Sequence, residues 1–241
     1  MSLGNALGHL TLLPFPYKKH VPLLRSIHYF PLVGAGMGSI AVLFFLGVRH
    51  IFPGALSCFL TVAVLEVLSG GAPLRGIVEM TQGRRTYPGH GFEPGFKPDQ
   101  RGIGIAGMLL FFKTTALILL PTREWQTHAV FVLPILGHCA QTLALVMGPC
   151  RIPRGFLNDK LIARRRVRAG FISVLLLALL FLFPWRAAIP ALALFLVIVF
   201  WGNRLLHAFF QGLTLQAVSL LAELSETAVL ILLAVAARTW A

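Results

Sequence analysis

The sequence predicts an all-α fold, a polytopic transmembrane bundle of about seven helices whose amino terminus lies in the cytoplasm. Hydrophobic residues make up 57% of the 241-residue chain and charged residues only 12%, and the mean hydropathy is +0.81. Soluble domains carry about twice that share of charged residues. The composition therefore excludes a water-soluble enzyme or binding module and indicates an integral membrane protein.

Seven apolar runs support the helix prediction, most of them near the roughly 20 residues that a bilayer core requires. They cover residues 30–48, 54–74, 102–120, 128–148, 169–184, 187–202 and 214–235. The fifth and sixth runs are short. Pro184, Trp185 and Arg186 between them predict a helical hairpin whose two arms tilt or pair.

The distribution of basic residues orients the bundle. Sixteen of the 21 Lys and Arg residues fall in the amino-terminal segment and alternate loops after it, four fall on the opposite side, and Lys113 lies within a span. Basic loops are retained in the cytoplasm, so the amino terminus is predicted there. The same loops attract anionic headgroups, so the formal charge of +13 predicts membrane lipid, and not nucleic acid, as a partner. Contact with an anionic substrate is the alternative use of this charge.

We predict a single integral membrane domain over residues 1–241. Residues 1–29 form a cytoplasmic or interfacial segment, residues 75–101 a cytoplasmic loop rich in Gly and Pro, and residues 149–168 a basic cytoplasmic loop. The Gly and Pro content of the second of these predicts irregular structure and not a separate domain.

Two places depart from a plain helical bundle. Gly70, Gly71 and Pro73 at the end of the second span predict a broken helix, and such a break persists at membrane depth only where protein or water satisfies the backbone. The last span carries Glu223 and Glu226 on one helical face. Carboxylates inside a membrane are costly, so these two are candidate functional residues.

Five segments of the chain follow one another in a recognisable order. They are residues 10–16 (LTLLPFP), 30–38 (FPLVGAGMG), 69–83 (SGGAPLRGIVEMTQG), 97–107 (KPDQRGIGIAG) and 212–226 (GLTLQAVSLLAELSE). They are similar to L-T-R-L-P-x-P, F-P-L-x-G-x-x-x-G, T-G-G-x-H-x-D-G-L-A-D-x-x-D-G, K-D-S-R-x-G-x-x-G and G-x-T-G-D followed by two glutamates. With this order and spacing, the chain resembles the cobalamin-5'-phosphate synthases, also called adenosylcobinamide-GDP ribazoletransferases.

The resemblance implies a step of cobalamin biosynthesis in the bacterial inner membrane. In this step α-ribazole or its phosphate is transferred onto GDP-activated adenosylcobinamide and GMP is released. A requirement for Mg²⁺ is implied as well, because carboxylate-bound metal neutralises a pyrophosphate. The implied partners are corrinoid and nucleotide small molecules. A homo-oligomer, or a complex with other cobalamin-assembly proteins, is a further expectation.

The resemblance also assigns roles to residues. It implies catalytic roles for Glu79, Asp99 and Arg101, and metal binding by Glu79, Glu223 and Glu226. The implied substrate-binding residues are Gly70, Gly71, Gly76, Gly104, Gly212 and Thr214. Arg75 is a further predicted substrate-binding residue, which would contact an anionic or corrinoid ligand in place of the metal.

Several motif positions of the family hold other residues in this chain. The family's His is Ala72, its three aspartates are Arg75, Glu79 and Gln82, the Asp of the last motif is Gln216, and an arginine of the fourth span is His138. Such a site binds a hard divalent ion poorly because it has lost most of its carboxylates. The alternative function is therefore a catalytically inactive relative that binds a corrinoid or serves as a scaffold in the same pathway.

The acids also have a structural interpretation. Lys113 is a candidate ion-pair partner for Glu66, Glu223 and Glu226, while His138 and His207 are candidate hydrogen-bond partners of the last two. Asp99 is alternatively a solvated loop charge. An unrelated transporter is disfavoured because the spans show no inverted repeat.

Overall fold

The protein is all-helical throughout the part described by a computed structural model, which covers residues 3–12, 26–81, 100–147, 159–210 and 215–240. The helices are α1 (Leu3–Leu10), α2 (Phe30–Val48), α3 (Gly54–Leu68), α4 (Ala72–Thr81), α5 (Gln100–Ile118), α6 (Arg123–Met147), α7 (Asp159–Leu177), α8 (Trp185–Phe210) and α9 (Leu215–Trp240). Short 3₁₀ turns, Ile27–Tyr29 and Ala178–Leu182, precede α2 and follow α7. The predicted all-α fold is confirmed.

Among the described residues, five helical segments are long and apolar enough to cross a membrane. They are Ile27–Val48, Gln100–Ile118, Arg123–Met147, Trp185–Ala208 and Ala217–Thr239. A sixth crossing exists if the bent pair Gly54–Leu68 and Ala72–Val78 counts as one span. Large apolar side chains such as Leu43, Phe111 and Phe171 are exposed on the outside of the bundle, as lipid contact requires. The chain is a multi-pass membrane protein, while the seven crossings and the cytoplasmic amino terminus stay predictions.

Two segments expected as loops are partly helical. Residues 75–81 belong to α4, residues 100–101 to α5 and residues 159–168 to α7, so the loops predicted at 75–101 and 149–168 were placed too wide. In the first case the physical reason is tertiary: Gly76, Ile77 and Val78 are buried, and α4 packs against α5 and α9. The remaining loop residues, 82–99 and 149–158, lie outside the described part.

The contact between α2 and α6 depends on two glycines. A Cβ atom at Gly34 would lie 2.5 Å from the carbonyl oxygen of Pro134, and one at Gly38 would collide with the carbonyl oxygen of Phe131. Small residues four apart let two membrane helices approach to backbone contact. Most of α6 is consequently buried at the centre of the bundle.

Helix α9 packs against α4, α5, α6 and α8. This position carries its two glutamates into the protein interior and away from lipid.

The predicted break separates α3 from α4, whose axes differ by 80°. Gly70 and Gly71 have φ angles of 68° and 62°, a left-handed conformation that glycine adopts without steric cost. The Gly71 N–H donates to the Glu66 carbonyl oxygen at 2.8 Å. Pro73 lies in the first turn of α4, where its missing N–H costs no hydrogen bond. Backbone N–H groups at the break therefore donate to carbonyl oxygens of α3. The predicted break in the helix is confirmed.

Candidate functional site

A small pocket lies beside the break, with a volume of about 50 Å³. Residues from α1, α2, α3, α4, α5, α6 and α9 line it. Its polar or charged lining residues are Glu66, Ser69, Lys113, His138, Gln141, Ser219, Glu223 and Glu226. This is a concentration of polar groups that a membrane bundle otherwise avoids.

Three carboxylates converge on one ammonium group in this pocket. The Lys113 Nζ atom lies 2.6 Å from Glu223 Oε1, 2.8 Å from Glu226 Oε2 and 3.4 Å from Glu66 Oε1. Lys113 itself is only 2% exposed. The ion-pair interpretation of these acids is confirmed, and Lys113 joins α3, α5 and α9 at one point.

Helix α6 accommodates the Glu226 side chain because it has a glycine at the contact. A Cβ atom at Gly137 would collide with the Glu226 carboxylate. The carboxylate therefore rests against the backbone of α6 while it contacts Lys113 on α5. Glycine at 137 and lysine at 113 together fix its position.

His138 follows Gly137 and has a defined tautomer. Its Nδ1 atom lies 2.8 Å from the Pro134 carbonyl oxygen. A carbonyl can only accept, so Nδ1 carries the proton and Nε2 of the neutral ring is an acceptor. Nε2 is buried and has no hydrogen-bond partner among the described residues. The hydrogen bond proposed from sequence between His138 and the glutamates is thus replaced by one to the backbone.

The described acids do not fit a Mg²⁺ ion. Mg²⁺ needs oxygen ligands in near-octahedral geometry about 2 Å from the metal. Here three carboxylates instead surround Lys113, and no group of three or more His, Cys, Asp or Glu side chains within the described ranges is arranged to hold a divalent metal ion.

The other predicted site residues are distributed differently. Gly70 and Gly71 form the break, and Arg75 and Gly76 lie on α4, partly and fully buried. Arg101 and Gly104 are exposed in the first two turns of α5 and do not line the pocket. Glu79 is on α4, but its side chain lies outside the described part, as do Asp99, Gly212 and Thr214. Their predicted roles stay predictions.

Sequence reasoning did not identify Gln141 and Ser219 as lining residues. Helical spacing could have found them. Gln141 lies three residues after His138, and Ser219 four residues before Glu223, so each shares a helical face with a candidate residue.

Comparison with known proteins supports the resemblance seen in the sequence. Residues 2–84 match the family described as Cobalamin-5-phosphate synthase, a range that contains the broken second span. The chain is 26% identical over 236 residues to an adenosylcobinamide-GDP ribazoletransferase from Geotalea daltonii, covering 92% of each sequence. No solved structure matches the chain. On these matches, the chain is similar to the cobalamin-5-phosphate synthase family.

Proposed function

We propose that the protein acts in cobalamin biosynthesis as a ribazoletransferase-like enzyme. It would join α-ribazole or its phosphate to GDP-activated adenosylcobinamide and release GMP. One observation carries this proposal: the similarity to the Geotalea daltonii ribazoletransferase extends over 92% of both chains and is not confined to a shared membrane segment.

The proposed partners and location follow from the same similarity. The substrates are a corrinoid and a nucleotide-activated intermediate, and the location is a bacterial inner membrane. A homo-oligomer, or a complex with other cobalamin-assembly proteins, belongs to the proposal as well.

The size of the pocket limits where such substrates bind. A volume of about 50 Å³ is far below the roughly 300–1,000 Å³ of ordinary ligand sites. Neither a corrinoid nor a guanine nucleotide fits inside it. The substrates would bind over the break between α3 and α4, where Ser69, Ala72 and Pro73 line the pocket.

The described glutamates of the last helix do not supply the proposed Mg²⁺ site. Glu223 and Glu226 contact Lys113 and offer few free oxygens to a metal. A Mg²⁺ site would need Glu79 and Asp99, which the family resemblance singles out.

A second candidate function is a catalytically inactive relative that binds a corrinoid or acts as a scaffold in the same pathway. The observation that favours it is the Lys113 cluster, which occupies the described carboxylates. The replacement of the family's motif acids by Arg75, Gln82 and Gln216 supports it too.

Transfer in proteoliposomes distinguishes the two functions. The purified protein receives adenosylcobinamide-GDP and α-ribazole phosphate, with Mg²⁺ or with EDTA, and GMP release is measured. Turnover that needs Mg²⁺ and is lost in Glu79→Gln supports the enzyme. The matched control is Glu124→Gln, an exposed acid in the first turn of α6, which should keep full turnover. Absence of turnover with retained corrinoid binding supports the inactive relative, and absence of both rejects the assignment.

A further inference from the structure

We propose that the pocket beside Lys113 binds one small monovalent cation, either an alkali metal ion or ammonium. This inference does not depend on the transferase function. It rests on the charge, the hydrogen-bond inventory and the size of the pocket.

The charge of the pocket is unbalanced. Three carboxylates line it, and of the lining residues that the structure describes, Lys113 alone carries a fixed positive charge. With His138 neutral and all three acids ionised, two formal negative charges would remain without a compensating cation among the described lining residues. Uncompensated charge inside a membrane bundle is costly. One bound monovalent cation would reduce this excess negative charge from two to one.

Unpartnered atoms in the pocket point to the same kind of ligand. Glu66 Oε2, His138 Nε2 and Gln141 Oε1 are buried without a hydrogen-bond partner in the described part of the chain, and all three residues line the pocket. Their exposed fractions are 9%, 6% and 6%. Each of the three atoms is an acceptor. A ligand that satisfies them together must supply positive charge or hydrogen-bond donors.

The size of the pocket restricts the ligand further. About 50 Å³ is the space of one or two water molecules. Sodium, potassium or ammonium fits with little or no retained water, whereas choline is too large. A divalent ion is disfavoured because the carboxylates it would need already contact Lys113.

Thermal unfolding under controlled salt tests the proposal. The full chain is purified in detergent with choline chloride as the only salt, and choline is replaced stepwise by sodium, potassium or ammonium at constant ionic strength. We expect Tm to rise saturably by about 5 °C with at least one of these ions. The ion that gives the largest rise distinguishes an alkali metal site from an ammonium site.

Variants show whether the ion binds in this pocket. Glu66→Gln removes one charge and keeps the shape, so its Tm in choline should equal or exceed that of the unaltered protein and its response to the ion should disappear. Glu124→Gln, exposed on α6, should keep the full response. If Glu66→Gln does not fold, Gln141→Met serves instead, because it removes an acceptor without changing charge. It should raise the half-saturating ion concentration about tenfold, the equivalent of one lost polar contact.

Two results would overturn the proposal. Equal Tm values in all four chlorides would mean that the pocket holds only water or takes up protons. A response that persists unchanged in Glu66→Gln, or in Gln141→Met where that variant is used, would place the ion elsewhere on the protein.

Discussion

Two helix contacts of this bundle are built in opposite ways. Helices α2 and α6 meet backbone to backbone, because Gly34 and Gly38 leave no room for a side chain. Helices α5 and α9 meet through charge, because Lys113 contacts Glu223 and Glu226. The first contact is made by glycines and backbone atoms, whereas the second concentrates charged side chains.

The difference explains where a ligand site can form. Where two glycines bring helix backbones together, the contact depends on shape and leaves no room for a ligand at that point. A buried charge cluster depends on the number and sign of its members, and it leaves acceptors that a ligand can satisfy. The small pocket beside the break is lined by the charged side chains of this second contact.

Removal of Lys113 is expected to have the largest effect, because it breaks the charged contact outright. Lys113→Met leaves three buried carboxylates without their shared cation. The free energy of unfolding should fall by about 3–5 kcal/mol, measured by equilibrium unfolding in mixed detergent micelles. Arg101→Met is the matched control on the same helix. Arg101 is exposed, so its loss should change stability by less than about 0.5 kcal/mol. Equal losses in the two variants would show that the charged contact contributes no stability.

The backbone contact is tested by Gly38→Ala, which places a methyl group against the Phe131 carbonyl. Overpacking of this kind should cost about 2–3 kcal/mol of unfolding free energy. Gly36→Ala is the control on the same helix, because no atom lies within 4 Å of its Cβ position. It should be neutral or slightly stabilising, since alanine favours helix over glycine. The contact would not be close in solution if both variants unfolded at the same denaturant concentration.

Much of the fold follows from local sequence. The length of the apolar runs predicted the membrane helices. Gly70 and Gly71 predicted the break, because glycine adopts a left-handed backbone conformation without steric cost. Residues 75–81 were misassigned because the burial of α4 depends on α9, which lies far away in sequence. The composition of residues 75–81 does not predict a contact with a helix so distant in sequence.

The charged residues of the site could be predicted from the sequence, because a charged side chain inside a membrane needs an oppositely charged partner. Lys113 and the glutamates lie in apolar runs, and their pairing follows from the cost of isolated charge in a membrane. Gln141 was missed because its neutral amide does not need a charged partner, so its position in an apolar run does not mark it as a site residue. The roles of Asp99, Gly212 and Thr214 stay predictions, as do the seven crossings and the side of the amino terminus.

Gly137 links the two kinds of contact and should give an intermediate effect. Gly137→Ala directs a methyl group at the Glu226 carboxylate and pushes it away from Lys113. We expect a loss of about 1–2 kcal/mol in unfolding free energy, small because a side-chain end can move. The same substitution in a Glu226→Ala background should cost almost nothing, because the colliding group is absent. A double-mutant cycle measures this coupling, and additive losses would mean that the carboxylate does not rest on α6.

The break between α3 and α4 depends on backbone conformation rather than on packing or charge. A substitution there should have the smallest effect on the free energy of unfolding. Gly71→Ala meets no atom within 4 Å, so neither crowding nor charge is involved. Only the φ angle of 62° opposes the new side chain, and the strain should lower the unfolding free energy by about 1 kcal/mol. Gly104→Ala on α5 is the control, since it is equally uncrowded and has an ordinary φ; it should be neutral or stabilising. Because the Gly71 N–H also donates to the Glu66 carbonyl, a loss well above that of backbone strain would show that the break and the Lys113 cluster form one cooperative unit.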